Sequence, residues 1–75
     1  MSLIVRILDS MDSQLADVAA DGRVPRFFVV REEEWTEITE RFKAETASPV
    51  SADSYKGVRV TVGPLGNDDL AFLVH

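Results

Sequence analysis

The sequence predicts a two-layer α+β fold, in which a small three-stranded, antiparallel-rich sheet is packed by two helices. Three observations carry that expectation. Apolar residues recur at helical spacing from Ile4 to Val18, four consecutive β-prone residues stand between Arg26 and Arg31, and Val58, Val60 and Val62 alternate with polar neighbours. The resulting order is helix, strand, helix, strand, strand.

The first helix spans Ser2 to Ala20. Ile4, Leu8, Met11, Leu15 and Val18 fall on one face, with Arg6, Asp9, Ser13 and Asp17 opposite. Ser2 suits the N-cap and Gly22 follows the last periodic residue as a stop. A rival reading makes Leu3–Leu8 a strand, because Ile4, Val5 and Ile7 are β-branched, and gives the order β-α-β-α-β-β. A single period accounts for the apolar positions from Ile4 to Val18 over about four turns, so the helix is preferred.

Phe27-Phe28-Val29-Val30 reads as a short strand in the middle of the sheet, with Pro25 just ahead of it, where no ladder donor is needed. Glu32 to Ala44 reads as the second helix. Trp35, Ile38 and Phe42 form its apolar stripe, and Trp35 is expected in the core. Glu32, Glu33 and Glu34 sit in the first turn, where the helix dipole favours carboxylates, and Glu37 and Arg41 are spaced as an ion pair. Residues 45–54 are small and polar and form the longest loop. Tyr55 to Val62 alternates as a half-solvated strand, and Gly63 to Asp69 supplies turn chemistry before a last strand, Leu70 to His75. The last two strands are therefore expected to form a hairpin.

Seventy-five residues bound this to one domain, 1–75. A 45% hydrophobic content is too high for a disordered chain. No apolar run approaches the ~20 residues of a membrane span, and no secretion signal is readable at the N-terminus. There is no cysteine, so disulfides and thiolate metal sites are excluded and a cytoplasmic setting is expected.

Catalysis finds little support. The one histidine, His75, reads as an exposed strand end rather than a base. Gly63-Pro64-Leu65-Gly66 has the wrong spacing for a phosphate loop. Asn67-Asp68-Asp69 and Asp9/Asp12 match no metal-binding spacing, so no metal or cofactor is expected. Eight Lys and Arg against thirteen Asp and Glu disfavour direct nucleic-acid binding. The acids themselves are the stronger lead. Glu33, Glu37 and Glu40 follow i, i+4 and i+7, which lines them along one solvent-facing ridge of the second helix. Such a row can compete with a polyanion for a basic protein, although an ordinary solvated face has the same appearance.

Phe28 and Tyr55 are the candidate aromatic anchors beside that ridge. A sheet covered on one face also leaves Phe28 or Val30, and Leu73 or Phe72, on its second face as an apolar patch. In size, layout and acidic balance the chain is similar to small phage-encoded proteins that block host enzymes, anti-CRISPR-type inhibitors among them. No motif carries that similarity, and it transfers no residue role. The expected function is thus a non-enzymatic protein-binding module, an inhibitor or adaptor whose partner the sequence does not identify. At its most specific, this is a nucleic-acid mimic acting on a host nucleic-acid-binding complex. The alternative is a homodimeric structural subunit pairing through the open sheet face or an edge strand.

Overall fold

Ser2 starts the first helix as its spacing predicts. In the computed structural model, which describes residues 2–43, 45, 48–66 and 69–75, helix α1 runs Leu3–Ala20 and the Ser2 hydroxyl accepts the Val5 N–H at 3.3 Å. At its other end Gly22 adopts φ +72°, and the amides of Gly22 and Arg23 donate back to Ala19 and Val18. That is a Schellman closure, which satisfies the last helical carbonyls and needs a residue without a Cβ penalty. Ile4, Ile7, Met11 and Val18 are buried, with Leu8 and Leu15 packed at the margin.

The remaining elements are β1 (Phe27–Val30), α2 (Glu32–Phe42), β2 (Ser54–Tyr55), β3 (Val58–Val62) and β4 (Phe72–Val74). Two layers of helix and sheet are present, but the sheet differs from expectation. It has four strands in the order β2-β3-β1-β4, and it is mixed. β1 runs parallel to β3 and antiparallel to β4. The expected hairpin of the last two strands is therefore not formed, because β1 stands between them. α2 supplies the crossover that a parallel pair requires. The segment after β3 then carries the chain past the end of β1 to its other side. Arg31 holds that segment, donating to the carbonyls of Asp69 at 2.7 Å and Gly66 at 2.5 Å.

The true hairpin lies earlier. What reads as one alternating strand from Tyr55 is broken by a two-residue turn at Lys56 and Gly57, with φ +51° and +81°. Two successive positive φ values are those of the mirror-image turns that match strand twist. Lys56 is an unusual occupant, since left-handed backbone costs a non-glycine residue roughly 1 kcal/mol. Its ammonium offsets that cost by reaching Asp12 on α1 at 2.8 Å, and it lies 5.5 Å from the centre of the Tyr55 ring.

Both helices cover the face of the sheet defined by Phe28, Val30, Val60 and Leu73. Trp35 and Ile38 enter this core from α2, and the indole N–H donates to the Ala52 carbonyl at 3.1 Å. Part of the long 45–54 segment is thereby docked: Val50 is buried and pairs with Tyr55 as an isolated bridge. Thr46 and Ala47 of that segment, with Ala44, Asn67 and Asp68, lie outside the described residues.

The outer edges of β2 and β4 are met by the chain's own groups. At β2, Ser51 N–H donates to Ser54 O and Lys56 N–H to Pro49 O. At β4, the Gln14 side chain of α1 behaves as a surrogate strand: its amide nitrogen donates to Ala71 O at 3.0 Å, and its oxygen accepts the Leu73 N–H at 2.8 Å. Replacing Gln14 with Leu keeps the helix but leaves two half-buried backbone groups unpartnered. The expected loss is about 1–3 kcal/mol in urea denaturation, with the Leu73 amide showing the largest gain in hydrogen exchange. An exchange rate unchanged at Leu73 would contradict the clamp.

Candidate functional site

The outer face of α2 follows from its inner one. Burial of Trp35 and Ile38 fixes the rotational setting of the helix, and a 100° step per residue then turns Glu33, Glu37 and Glu40 outward. All three are exposed. The ion pairs found among the described residues are Arg31–Glu34 at 3.5 Å and Lys56–Asp12 at 2.8 Å. The Glu37–Arg41 pair expected from spacing does not close, and among the described residues no cation lies in contact with the ridge carboxylates. α1 carries Arg6 against Asp9, Asp12 and Asp17, and α2 carries Arg41 against five glutamates. The two helices therefore hold a formal −6, whereas the rest of the chain sums to +1 of the total −5.

At the C-terminal end of this ridge, α2 and the docked 50–52 segment enclose a half-open cavity of about 420 Å³. Phe42 and Val50 give it an apolar wall, and Glu40, Lys43 and Glu45 bring charge to it. A second cavity, about 390 Å³, lies at the opposite end of α2 between Glu32, Glu33 and the Val62–Leu65 segment. It adjoins a helix N-terminus, yet Glu32 and Glu33 are exposed there and Arg31 is already engaged by loop carbonyls. Repulsion from the two carboxylates makes it a poor phosphate site despite the helix dipole.

Phe28 and Tyr55, expected as exposed anchors, are corrected by their burial. Phe28 has 0% exposure and Tyr55 3%. They do meet each other, edge to face with ring centres 6.2 Å apart, but as part of the core. The cause for Phe28 is strand parity. Phe28 and Val30 point inward, so Phe27 and Val29 point outward, and the register sets them beside Arg59, Thr61, Phe72 and Val74. The apolar outer face is thus built from Phe27, Val29, Phe72 and Val74, with Phe72 at 52% exposure. Among the described residues, Arg59 is the one charged strand residue on that face.

Tyr55 is buried because its hydroxyl has an internal acceptor. It donates to Asp12 Oδ1 at 2.8 Å, the oxygen that also receives Lys56 Nζ. Burial by itself raises the pKa of Asp12, but the hydrogen bonds from Lys56 and Tyr55 and the lysine charge outweigh it, holding the carboxyl below its ordinary value. The same arrangement raises the Tyr55 phenol well above 10, through burial first and then the bond and charge of Asp12.

Among the described residues, no group of three or more His, Cys, Asp or Glu side chains is arranged to hold a metal ion. Asn67 and Asp68, considered above as oxygen ligands, lie outside the described residues. His75 Nδ1 sits 3.3 Å from an Arg23 guanidinium nitrogen. No helix among the described residues is long and apolar enough to cross a membrane. Comparison of the chain with protein-family models, with curated proteins and with solved structures gives no match in any of the three.

The Asp12–Tyr55–Lys56 cluster fixes the sign of the pH dependence. Asp12, with a lowered folded pKa, contributes stability above the ordinary carboxylate value of about 3.9, and this is lost as pH falls through the folded pKa. Tyr55, with a raised one, contributes stability below pH of about 10, lost as pH rises beyond it. Tyr55 is the single tyrosine of the sequence, so phenolate absorbance reads it directly. It is expected to ionise above its ordinary range in the native protein and at the ordinary value in urea. Coincident titrations in the two states would contradict the burial and the Asp12 bond.

Proposed function

We propose that this chain is a non-enzymatic protein-binding module, an inhibitor or adaptor that presents the acidic outer face of α2 to a basic partner. One observation carries the reading: Glu33, Glu37 and Glu40 are exposed along one line of a helix whose inner face is fixed in the core. Their rises along the axis amount to about 6.0 and 4.5 Å. Phosphates along one nucleic-acid strand rise about 3.4 Å each. The ridge is thus a shorter and sparser row of charge than a strand of DNA or RNA. It matches a basic groove over a few contacts, which suits an inhibitor that blocks part of a nucleic-acid site better than one that imitates a long duplex. A cytoplasmic setting fits a chain without cysteine.

A second reading, self-association, draws on the outer sheet face with Phe27, Val29, Phe72 and Val74. Its edge-strand form is disfavoured, because Gln14 and the 49–51 segment already occupy the edges. For the face form, four strands at about 4.8 Å spacing and five residues at about 3.3 Å give roughly 300 Å². A stable interface takes about 800 Å² from each partner. Area therefore ranks this reading second.

The charge-reversed variant Glu33→Lys/Glu37→Lys/Glu40→Lys separates ridge from background. Against a partner captured from lysate and purified, its association rate is expected to fall about tenfold or more at low salt, with the difference closing as salt rises. Identical rates would remove the ridge from the mechanism. Sedimentation of the wild type and Phe72→Asp tests the second reading: a concentration-dependent dimer abolished by the substitution supports it, and a monomer at high micromolar concentration refutes it.

A further inference from the structure

The cavity beside Phe42 and Val50 is not explained by the needs of the core. Val50 is already buried and Phe42 half-buried, yet about 420 Å³ remains open beside them, at the same end of α2 as Glu40. We infer that this cavity is the anchor pocket of the ridge, taking one aliphatic side chain from a lysine- or arginine-rich segment of a partner protein, an assignment that rests on the protein-binding role above.

Charge selects the occupant. Glu40 and Glu45 outnumber Lys43 around the cavity, and Glu37 and Glu33 continue the negative row away from it. An acidic segment would be repelled, and a wholly hydrophilic basic one would leave the Phe42–Val50 wall wet. The ridge extends about 10.5 Å from Glu40 to Glu33, which an extended chain covers in about three residues. Cations within three positions of the anchor therefore reach all three carboxylates. A second copy of this chain is a poor occupant, because two molecules of net charge −5 repel. The combination of one desolvated apolar anchor with surrounding charge complementarity is also how binding energy is commonly distributed at interfaces.

Two synthetic probes test this on the intact protein: a Lys-Lys-Lys-Leu-Lys-Lys-Lys peptide and its Lys-Lys-Lys-Ser-Lys-Lys-Lys counterpart, titrated at low salt and followed by amide NMR shifts. The leucine peptide is expected to bind about tenfold tighter, as a mostly buried leucine requires, and to shift Phe42, Val50 and Ser51 as well as the ridge. Ala52→Leu, an exposed position lining the cavity, is expected to erase the leucine advantage while leaving ridge shifts intact. Equal affinities with shifts confined to Glu33, Glu37 and Glu40 would overturn the pocket and leave the ridge standing. Failure of both peptides to shift the ridge would overturn the ridge reading and the pocket with it. A leucine advantage that survives Ala52→Leu would also overturn the pocket, since the anchor would then sit elsewhere.

Discussion

The inner face of β1 is the constraint on which the rest of the molecule depends. Phe28 and Val30 are without solvent exposure, and Phe28 lies in register between Val60 and Leu73. A sheet of such short strands is marginal by itself and becomes stable only under a helical cover. The cover here is the packed side of α1 and α2, whose buried residues join the same cluster. Once those sides are committed, the remaining faces have no freedom. Trp35 and Ile38 face inward, so the glutamates of α2 must face outward, and Phe27 and Val29 must lie on the open side of the sheet.

Closing the edges narrows where a macromolecule can be engaged. Exposed strand edges recruit other strands through unpaired backbone groups. Gln14 and the 49–51 segment use those groups internally. Strand addition from either edge would first have to break bonds that the fold already makes. What remains are the two broad faces, and they are chemically opposite: carboxylates over the helices, and apolar side chains with a single arginine over the sheet. Recognition on the helical face would be electrostatic with local apolar help, whereas recognition on the sheet face would be hydrophobic and limited by its small area.

Much of this was legible in the residues, for identifiable reasons. The helices announce themselves because one period accounts for their apolar positions and their ends carry recognisable chemistry, Ser2 and Gly22 for α1 and the glutamates for α2. The ridge was legible with them, since a helix with two fixed inward residues has its outward ones determined. The sheet was less legible. Lys56 hides a turn inside an alternating stretch, because its left-handed backbone is supported by Asp12, a partner 44 positions away that no local pattern reveals. Phe28 was misplaced because four apolar residues in a row carry no parity: either Phe27 or Phe28 could face inward, and only the packed partner decides. Gln14 shows the same limit, as a polar residue between Met11 and Val18 on the buried side of α1 whose purpose becomes visible only once β4 is beside it. A glutamine interrupting an apolar stripe was the one available signal.

A row of surface acids is commonly just a solvating face, so distance has to decide whether it can act as a unit. At physiological ionic strength the screening length is about 8 Å. Charges spread over a domain of this size are screened from one another, and a net charge of −5 says little about attraction at any one spot. Glu33, Glu37 and Glu40 span about 10.5 Å of helix axis, which places each neighbouring pair within one screening length. A cation approaching their midpoint therefore feels all three. The cavity wall of Phe42 and Val50 begins beside Glu40, and a low-dielectric surface next to a carboxylate strengthens the field there. For a bound cationic segment, attraction and apolar burial would thus act at the same place, which scattered surface acids would not provide.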